Sequence, residues 1–231
     1  MARGRLSGKK FYMKIFCLRI GDKYGPEYED YINKMLDDYE VVWIREAVSK
    51  SIPLQWNKIQ FMNLDTDDPI VVLDIDIILR KDYKELFEYP IERGEFLSIP
   101  AWWNSKYPKW KINGGFQKYY PRDCKYIYEA FMKNPKHWMM HYIKQGLTIG
   151  PVNGEQFFVE EHVKDHLDLK LIPKSWVTRW TPDDTINKHI ELKWEEFNDS
   201  KLIEDEEFNS DIKLIHFTSS LNKPHLTSLW K

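Results

Sequence analysis

Two aspartates, Asp74 and Asp76, follow an apolar run and are separated by one residue. Side chains alternate along a strand, so both carboxylates project to the same side, close together. Their mutual repulsion is removed by a divalent cation, because Mg²⁺ or Mn²⁺ binds one or two carboxylates and completes its shell with water and substrate phosphates. The spacing therefore predicts a divalent metal site. The alternative is a pair of solvated turn aspartates that cap the strand.

The stretch that positions these acids runs from Ile70 to Leu79 and reads IVVLDIDIIL. An apolar run of this kind is typical of a fully buried strand in a parallel sheet. Open α/β sheets bind ligands at the carboxyl ends of their strands. We therefore expect Asp74 and Asp76 at the C-terminal end of a buried strand, on the ligand edge of the sheet.

The bulk composition of the 231 residues fits one domain of generous size. A formal charge of -2 and a pI near 6.4 give no indication of nucleic-acid binding. Cys17 and Cys124 are the only cysteines, so we expect neither a disulfide framework nor a cysteine metal site. No apolar run is long enough to span a bilayer, and we expect a cytoplasmic protein. Residues 1–12 are expected to be a flexible extension or a cloning remnant, and residues 13–231 to form the domain.

The order of predicted elements favours an α/β fold. Strand Met13–Ile20, a turn, a helix that opens at Pro26, and strand Val41–Ile44 suggest a βαβ unit. Later segments extend this pattern. The helices are expected over Leu54–Leu64, Lys81–Phe87, Tyr126–Met132 and Trp138–Lys144, and the strands over Phe96–Ile99, Leu169–Ile172 and Ile212–Phe217.

Three further groups of residues have types that suit ligand binding. Asn113, Gly114 and Gly115 permit close backbone approach to a ligand, or form a tight bend. Glu155 and Gln156 stand at an expected helix start. His216 ends an apolar strand, where a histidine is more often structural than a ligand. Trp180 to Asp211 is charged and is expected to be irregular and peripheral.

Taken in order, these motifs resemble the GT-A glycosyltransferases of the glycogenin and galactosyltransferase-like group, which is family 8-like. The resemblance extends from Met13 to about Pro224. It implies a Rossmann-like single domain with a mixed, mostly parallel central sheet flanked by helices. It also implies sugar transfer from a UDP-sugar to a glycan or glycoprotein acceptor, and it favours retention of anomeric configuration. Inversion would require a carboxylate base, for which Glu155, Asp183 and Asp184 are the candidates.

The resemblance assigns the metal and diphosphate site residue by residue. Asp74 and Asp76 correspond to the family's DxD motif, which holds Mn²⁺ or Mg²⁺ on the donor diphosphate. His216 corresponds to the third metal ligand, and Lys223 to the lysine that contacts the diphosphate.

The same resemblance assigns the sugar and base sites. Tyr24 stands where the family stacks an aromatic ring on uracil, and Lys58 where a lysine reaches toward the donor sugar. Asn113, with Gly114 and Gly115, lines the sugar site. Glu155 and Gln156 correspond to the family's acid and glutamine pair near the anomeric carbon, and are the expected catalytic residues.

Within this group, the sequence resembles the short glycosyltransferases of large DNA viruses that infect chlorella algae. Those enzymes decorate the major capsid protein with glycans. The likeness implies a hexose or deoxyhexose as the transferred sugar, and host cytoplasm as the location.

Two other functions remain open from the sequence. A phosphohydrolase of the haloacid dehalogenase type also ends an apolar strand in DxD, with the first aspartate as nucleophile and Asp183 and Asp184 as its later acidic pair. A non-catalytic carbohydrate-binding domain would use Trp102, Trp103 and Trp110 as stacking platforms.

Overall fold

A computed structural model describes residues 13–101, 109–180, 211–217 and 230 of the chain, and the side chains of all these except residues 179 and 180. The described residues form nine strands and five α-helices. The strands are β1 (Lys14–Leu18), β2 (Glu40–Ile44), β3 (Ile70–Leu73), β4 (Ile77–Leu79), β5 (Glu95–Pro100), β6 (Ile112–Tyr119), β7 (Asp168–Leu171), β8 (Val177–Trp180) and β9 (Leu214–Phe217). The helices are α1 (Pro26–Met35), α2 (Lys84–Glu88), α3 (Pro121–Lys133), α4 (Pro135–Lys144) and α5 (Glu155–His166).

The central sheet has six strands in the order β2-β1-β3-β6-β5-β7. The pairs β1 with β2, β1 with β3 and β5 with β7 are parallel, whereas β6 is antiparallel to both of its neighbours. Five strands therefore run in one direction and β6 in the other. The expected mixed, mostly parallel sheet of a single α/β domain flanked by helices is confirmed.

Both faces of this sheet are covered by hydrophobic core. Along β1, Phe16 packs into one core cluster while Ile15 and Cys17 pack into the other. Along β3, Val72 faces the first cluster and Val71 the second. The period of two places successive side chains on opposite faces, so a strand with both faces buried needs the continuous apolar sequence seen in β3.

The βαβ unit predicted at the start of the chain is present as β1, α1 and β2. Pro26 opens α1 because its fixed φ suits the first helical turn and it has no N–H to leave unpaired. Tyr28, Tyr31 and Ile32 form the buried stripe of this helix against the sheet. The parallel register of β1 with β2 requires this crossover.

A second, three-stranded sheet has the order β4-β9-β8 and was not anticipated from the sequence. The stretch Ile70 to Leu79 is divided, because β3 belongs to the central sheet whereas β4 pairs antiparallel with β9. The residues between the two strands are Asp74, Ile75 and Asp76. The short strand β8, which pairs parallel with β9, was also missed.

Other expected elements occur with adjusted bounds. The predicted helix at Leu54 is a 3₁₀-helix, Leu54–Asn63. Asn134 separates α3 from α4, and its side chain accepts a hydrogen bond from the backbone N–H of His137, 3.1 Å away. Asn113, Gly114 and Gly115 lie in the buried strand β6, so the alternative of a tight bend at the glycines does not apply.

Candidate active site

The two aspartates between β3 and β4 are fixed by the backbone on both sides. The N–H of Asp74 donates to the carbonyl oxygen of Gly115 in β6, at 2.8 Å. The carbonyl oxygen of Asp76 accepts from the N–H of Phe217 in β9, also at 2.8 Å. The segment therefore leaves the central sheet at Asp74 and joins the second sheet at Asp76, with both carboxylates at the junction.

His216 from the end of the chain reaches this junction. Its Nε2 atom lies 3.3 Å from Oδ2 of Asp74 and 3.8 Å from Oδ1 of Asp76. The pairing of His216 in β9 with Ile77 in β4, within the second sheet, sets this placement. One ligand atom from each of the three side chains lies within 4.8 Å of the others. The three residues expected from the resemblance to bind metal are thus brought together.

Lys58 lies beside the aspartates, with 3% of its side chain exposed. Its Nζ atom is 2.6 Å from Oδ1 of Asp74 and donates to the carbonyl oxygen of Gly114 at 2.8 Å. Burial alone lowers the pKa of Lys58, but the charges of Asp74 and Glu155 raise it above its ordinary value. Lys58 is therefore a cation held against the sheet edge.

The ion pair with Lys58 also lowers the pKa of Asp74. Burial alone raises the pKa of the Asp74 carboxyl, but the charge of Lys58 and the hydrogen bond with His216 hold it well below its ordinary value. Asp74 is consequently ionised, which is the form that binds a cation.

Tyr24 contacts the second aspartate. Its hydroxyl donates to Oδ2 of Asp76 at 2.6 Å, and its ring lies 4.8 Å from the ring of Tyr28. Burial, followed by the charge of Asp76, raises the pKa of Tyr24, so its hydroxyl remains a donor. Tyr24 thus orients one carboxylate while its ring borders the adjacent pocket.

The glycine pair of β6 lies against these side chains. A Cβ atom on Gly115 would lie 2.6 Å from Cδ2 of His216, which is closer than real Cβ contacts occur. The side chain of Asn113 accepts from the N–H of Gly115 at 2.8 Å. The register of β5 and β6 shifts between Ser98 and Ile99, opposite this element. The absence of a side chain at Gly115 therefore leaves room for the imidazole of His216. The sequence had indicated close approach of the backbone to a ligand, or a tight bend, at this position.

Helix α5 places Glu155 and Gln156 against the same strand. Oε1 of Gln156 accepts from the N–H of Gly114 at 3.2 Å, and Oε1 of Glu155 accepts from Nε2 of Gln117 at 3.1 Å. Gly154 precedes the helix with φ of 133°, a conformation that favours glycine. Both residues expected at the sugar site therefore lie next to Gly114.

The two residues differ in exposure. Glu155 is 3% exposed, whereas Gln156 is partly exposed. Burial raises the pKa of Glu155 to about 7, although Lys58 and the hydrogen bond from Gln117 act in the opposite direction. Gln117 was missed from the sequence, because a lone glutamine in a strand carries no functional signal.

Several predicted residues lie outside the described residues. These are Lys223, Asp183, Asp184, Trp102 and Trp103. Trp110 is described and is 3% exposed, packed 5.0 Å from the ring of Phe157. Its assignment as a sugar-stacking platform is therefore wrong, because the side chain is buried in the hydrophobic core.

A pocket opens beside the aspartates. Its walls combine the ends of β1 and β3 with the 3₁₀-helix, and they are formed by Leu18, Ile20, Lys23, Tyr24, Leu54, Gln55, Lys58, Asp74, Ile75 and Asp76. The pocket is thus apolar on several sides and charged at the DxD end. A planar, partly apolar group joined to phosphates fits this distribution.

Comparison with solved structures identifies the fold. The galactosyltransferase LgtC, solved with donor and acceptor sugar analogs, superposes with a TM-score of 0.54 at 11% identity, over 90% of this chain and 87% of LgtC. The glycosyltransferase GlyE of Streptococcus pneumoniae gives a TM-score of 0.58 at 12% identity, over 94% of this chain. The chain has a GT-A glycosyltransferase fold. It spans 59% of the length of GlyE, and 48% of the bifunctional glycosyltransferase WbbM.

No protein-family model and no curated protein matches this chain by sequence. The likeness is therefore one of fold, at identities that leave the substrates open. Among the residues that the structure describes, none of the helices is both long and apolar enough to cross a membrane.

The donor atoms of Asp74, Asp76 and His216 fit a divalent cation. Two carboxylates and one imidazole suit Mn²⁺, while Mg²⁺ more often takes oxygen ligands alone. Tyr24 contacts the carboxylate of Asp76, and Lys58 contacts the carboxylate of Asp74. Such contacts from residues outside the ligand set orient metal ligands. Asp74, Asp76 and His216 are thus the residues that could hold the ion.

Proposed function

We propose that the protein is a divalent-metal-dependent glycosyltransferase that moves a hexose or deoxyhexose from a UDP-sugar to a glycan or glycoprotein acceptor. The observation that carries this proposal is the convergence of Asp74, Asp76 and His216 within 4.8 Å on a GT-A fold. His216 lies 142 residues after Asp74 in the sequence, so the fold brings the third side chain to the two carboxylates. Asp74 and Asp76 repel each other where they converge, and a bound divalent cation would offset that repulsion.

The chemistry requires stabilisation of a leaving diphosphate. When bound, a Mn²⁺ or Mg²⁺ ion supplies positive charge to the diphosphate oxygens as the bond to the sugar breaks. In this chain, Asp74 and Asp76 would hold that ion and Lys58 would keep Asp74 ionised and oriented. Lys223 is proposed from the resemblance as a second cation at the diphosphate.

The sugar is proposed to lie on the other side of Lys58, over Gly114. Gln156 contacts Gly114 and is partly exposed, so we assign it the face of the anomeric carbon, where positive charge develops. Glu155 is buried behind it and supports the strand. A variant of LgtC in which a glutamine is replaced by glutamate is described as an active-site mutant, which is consistent with a functional glutamine on this fold.

The finer parts of the proposal come from the sequence resemblance. They are retention of anomeric configuration, with the departing phosphate as proton acceptor, and a viral capsid glycoprotein as the acceptor. NMR of the product made from a defined UDP-sugar would assign the anomeric configuration and the linkage.

The proposal is tested by calorimetry with UDP, with and without Mn²⁺. We expect UDP binding that depends on Mn²⁺ and is lost in Asp76→Asn. Asp68→Asn, at an exposed turn, is the matched control and should bind like the wild type. A screen of UDP-sugars for UDP release would then identify the donor. If UDP does not bind in a metal-dependent manner, the proposal is wrong.

Two alternatives give different results in the same assays. The phosphohydrolase would release phosphate from a chromogenic ester with Mg²⁺ and leave UDP-sugars intact, but its nucleophile, Asp74, is bound to Lys58 and the fold is GT-A. A carbohydrate-binding domain would bind glycans in the presence of EDTA, and the Asp76→Asn variant would also bind them. Trp110 cannot serve as a stacking platform for such a domain, because it is buried.

A further inference from the structure

Glu160 on α5 is 0% exposed, and the proposed chemistry gives this charged residue no role. Its Oε1 atom accepts from the N–H of Lys111 at 2.7 Å, and its Oε2 atom accepts from the N–H groups of Lys111 and Ile112 at 2.8 and 2.9 Å. Lys164, at the next turn of the helix, supplies the opposite charge. Because its charge is paired and both of its oxygens are hydrogen-bonded, the carboxylate is held firmly against the start of β6.

This contact lies where strand pairing alone does not fix β6. The pairing of β6 with β3 covers only residues 116–119. The register between β5 and β6 shifts and leaves residues 114–116 between two paired positions. Strand pairing therefore does not set the position of Gly114 by itself. Glu160 holds the chain just before this segment, with side-chain oxygens that accept N–H groups as a neighbouring strand would.

The same helix contacts Gly114 one turn earlier. Gln156 precedes Glu160 by four residues, which places the two side chains on one face of α5. Oε1 of Gln156 accepts from the N–H of Gly114 at 3.2 Å, whereas the hydrogen bonds of Glu160 are 2.7 to 2.9 Å long. Charge-assisted hydrogen bonds are the stronger class. Glu160 therefore sets how α5 lies along β6, and the neutral contact of Gln156 depends on it.

Two further side chains of α5 seat the same segment of chain. Nζ of Lys164 donates to the carbonyl oxygen of Lys109 at 2.9 Å. The ring of Trp110 packs 5.0 Å from the ring of Phe157. Together with the buried carboxylate, these contacts attach residues 109–112 to α5 over about two turns of the helix.

We propose that Glu160 is a positioning residue for sugar transfer, which fixes α5 along β6 and thereby holds the amide of Gln156 against Gly114, where the donor sugar is assigned. The inference rests on the proposed function and adds a residue that acts through Gln156 without touching the substrate. A displacement of about 1 Å in a group at the reacting centre can lower a rate about 100-fold. The metal side is fixed separately, because the N–H of Asp74 donates to the carbonyl oxygen of Gly115.

The test is a double-mutant cycle on the full chain, with UDP release from UDP-glucose and UDP-galactose in Mn²⁺ as the activity. Glu160→Gln keeps the size of the side chain and removes its charge, Gln156→Ala removes the amide, and a third variant combines them. Glu161→Gln is the matched control, because Glu161 is the next residue of α5 and accepts from the hydroxyl of Tyr142 instead of from β6. Calorimetry with UDP and Mn²⁺ counts the binding-competent fraction of each variant.

We expect Glu160→Gln to lower kcat by about 10- to 100-fold, and to change the KM for the donor and the affinity for UDP by less than about 3-fold. In the Gln156→Ala background the same substitution should cost less than about 3-fold, because the group that it positions is already absent. Glu161→Gln should stay within about 2-fold of the wild type. A merely structural role would instead lower the binding-competent fraction, and would do so equally in both backgrounds.

Amide hydrogen exchange of Gly114, measured by NMR, gives a second readout that needs no donor. Exchange should be about 3- to 10-fold faster in Glu160→Gln and in Gln156→Ala than in the wild type, as for loss of one hydrogen bond. Exchange of Val72 in β3 should not change. If Glu160→Gln does not fold, Glu160→Asp, which keeps the charge and shortens the reach, is measured in its place.

The outcomes separate this inference from the proposed function. Turnover by Glu160→Gln within about 2-fold of the wild type, or an equal loss in the wild-type and Gln156→Ala backgrounds, overturns the inference and leaves the transferase proposal standing. Unchanged exchange of Gly114 in the Glu160 variant does the same where the wild type binds UDP but releases none from either donor. If UDP does not bind the wild type with Mn²⁺, the proposed function fails and the role in sugar transfer fails with it.

Discussion

Nε2 of His216 lies 3.3 Å from Oδ2 of Asp74, although 142 residues separate the two in the sequence. The contact joins the central sheet to the second sheet, because Asp74 follows β3 and His216 belongs to β9. The proposed metal site is therefore assembled by tertiary structure. Four predictions concern the residues around this contact.

Gly115→Ala should abolish Mn²⁺-dependent nucleotide binding while leaving the fold intact. The added methyl group would lie 2.6 Å from Cδ2 and 2.8 Å from Nε2 of His216, so the imidazole has to move away from the aspartates. Calorimetry with UDP and Mn²⁺ measures the loss, and far-UV circular dichroism checks the fold. Gly150→Ala is the control, because its added methyl group meets no atom within 4 Å. Wild-type binding in Gly115→Ala would show that His216 is dispensable.

Tyr24→Phe should weaken Mn²⁺ binding in the presence of UDP by about 10-fold, because residues that orient metal ligands commonly have effects of this size. The variant removes the 2.6 Å hydrogen bond to Asp76 and keeps the ring. Tyr24→Ala should have a larger effect, since it also removes the proposed stacking surface for the base. The measurement is a Mn²⁺ titration at fixed UDP, with Tyr120→Phe as control. Equal affinities for the Phe variant and the wild type would contradict the orienting role of the hydroxyl.

The buried Glu155 should make stability depend on pH. Its pKa rises from 4.5 to about 7 in the folded chain. Between these values the folded chain holds a proton that the unfolded chain has released, so the free energy of unfolding falls as pH rises. The full decrease is about 3 kcal/mol, and it is complete above pH 7. Glu155→Gln lacks this dependence and should be more stable, relative to the wild type, at pH 8 than at pH 4.5.

Urea unfolding in EDTA at the two pH values measures this difference. Glu129→Gln, at an exposed position on α3, controls for the general effect of removing a carboxylate. A difference between Glu155→Gln and the wild type that does not change with pH would show that Glu155 is not buried as described.

Deleting every residue from Ile212 onward should abolish donor turnover even where the central sheet still forms. All six strands of that sheet precede residue 212, whereas the deletion removes β9 and with it His216. Circular dichroism and UDP release are the two measurements. A shorter deletion, from Thr218, keeps His216 and removes Lys223, so it separates the two residues. Donor turnover by the chain that ends before Ile212 would show that β9 and His216 are not required.

The sequence by itself determined the elements whose signals are local. The apolar run before Asp74 predicted β3 because a strand with both faces buried must be apolar throughout. Pro26 marked a helix start through its backbone geometry. The apolar run also predicted two carboxylates directly after β3, although both residues lie between β3 and β4 rather than on one continuous strand.

Only the tertiary structure decided which distant residues meet. The pairing of β4 with β9, the ion pair of Lys58 with Asp74 and the space that Gly115 leaves for His216 all depend on contacts across the chain. Burial also belongs to this level, because the core covers Trp110 and raises the pKa of Glu155 to about 7. A residue type and its neighbours in sequence do not specify what packs against it. The paired carboxylates of Asp74 and Asp76 can thus be read from the sequence, whereas the fold brings His216 to them and forms the adjacent pocket.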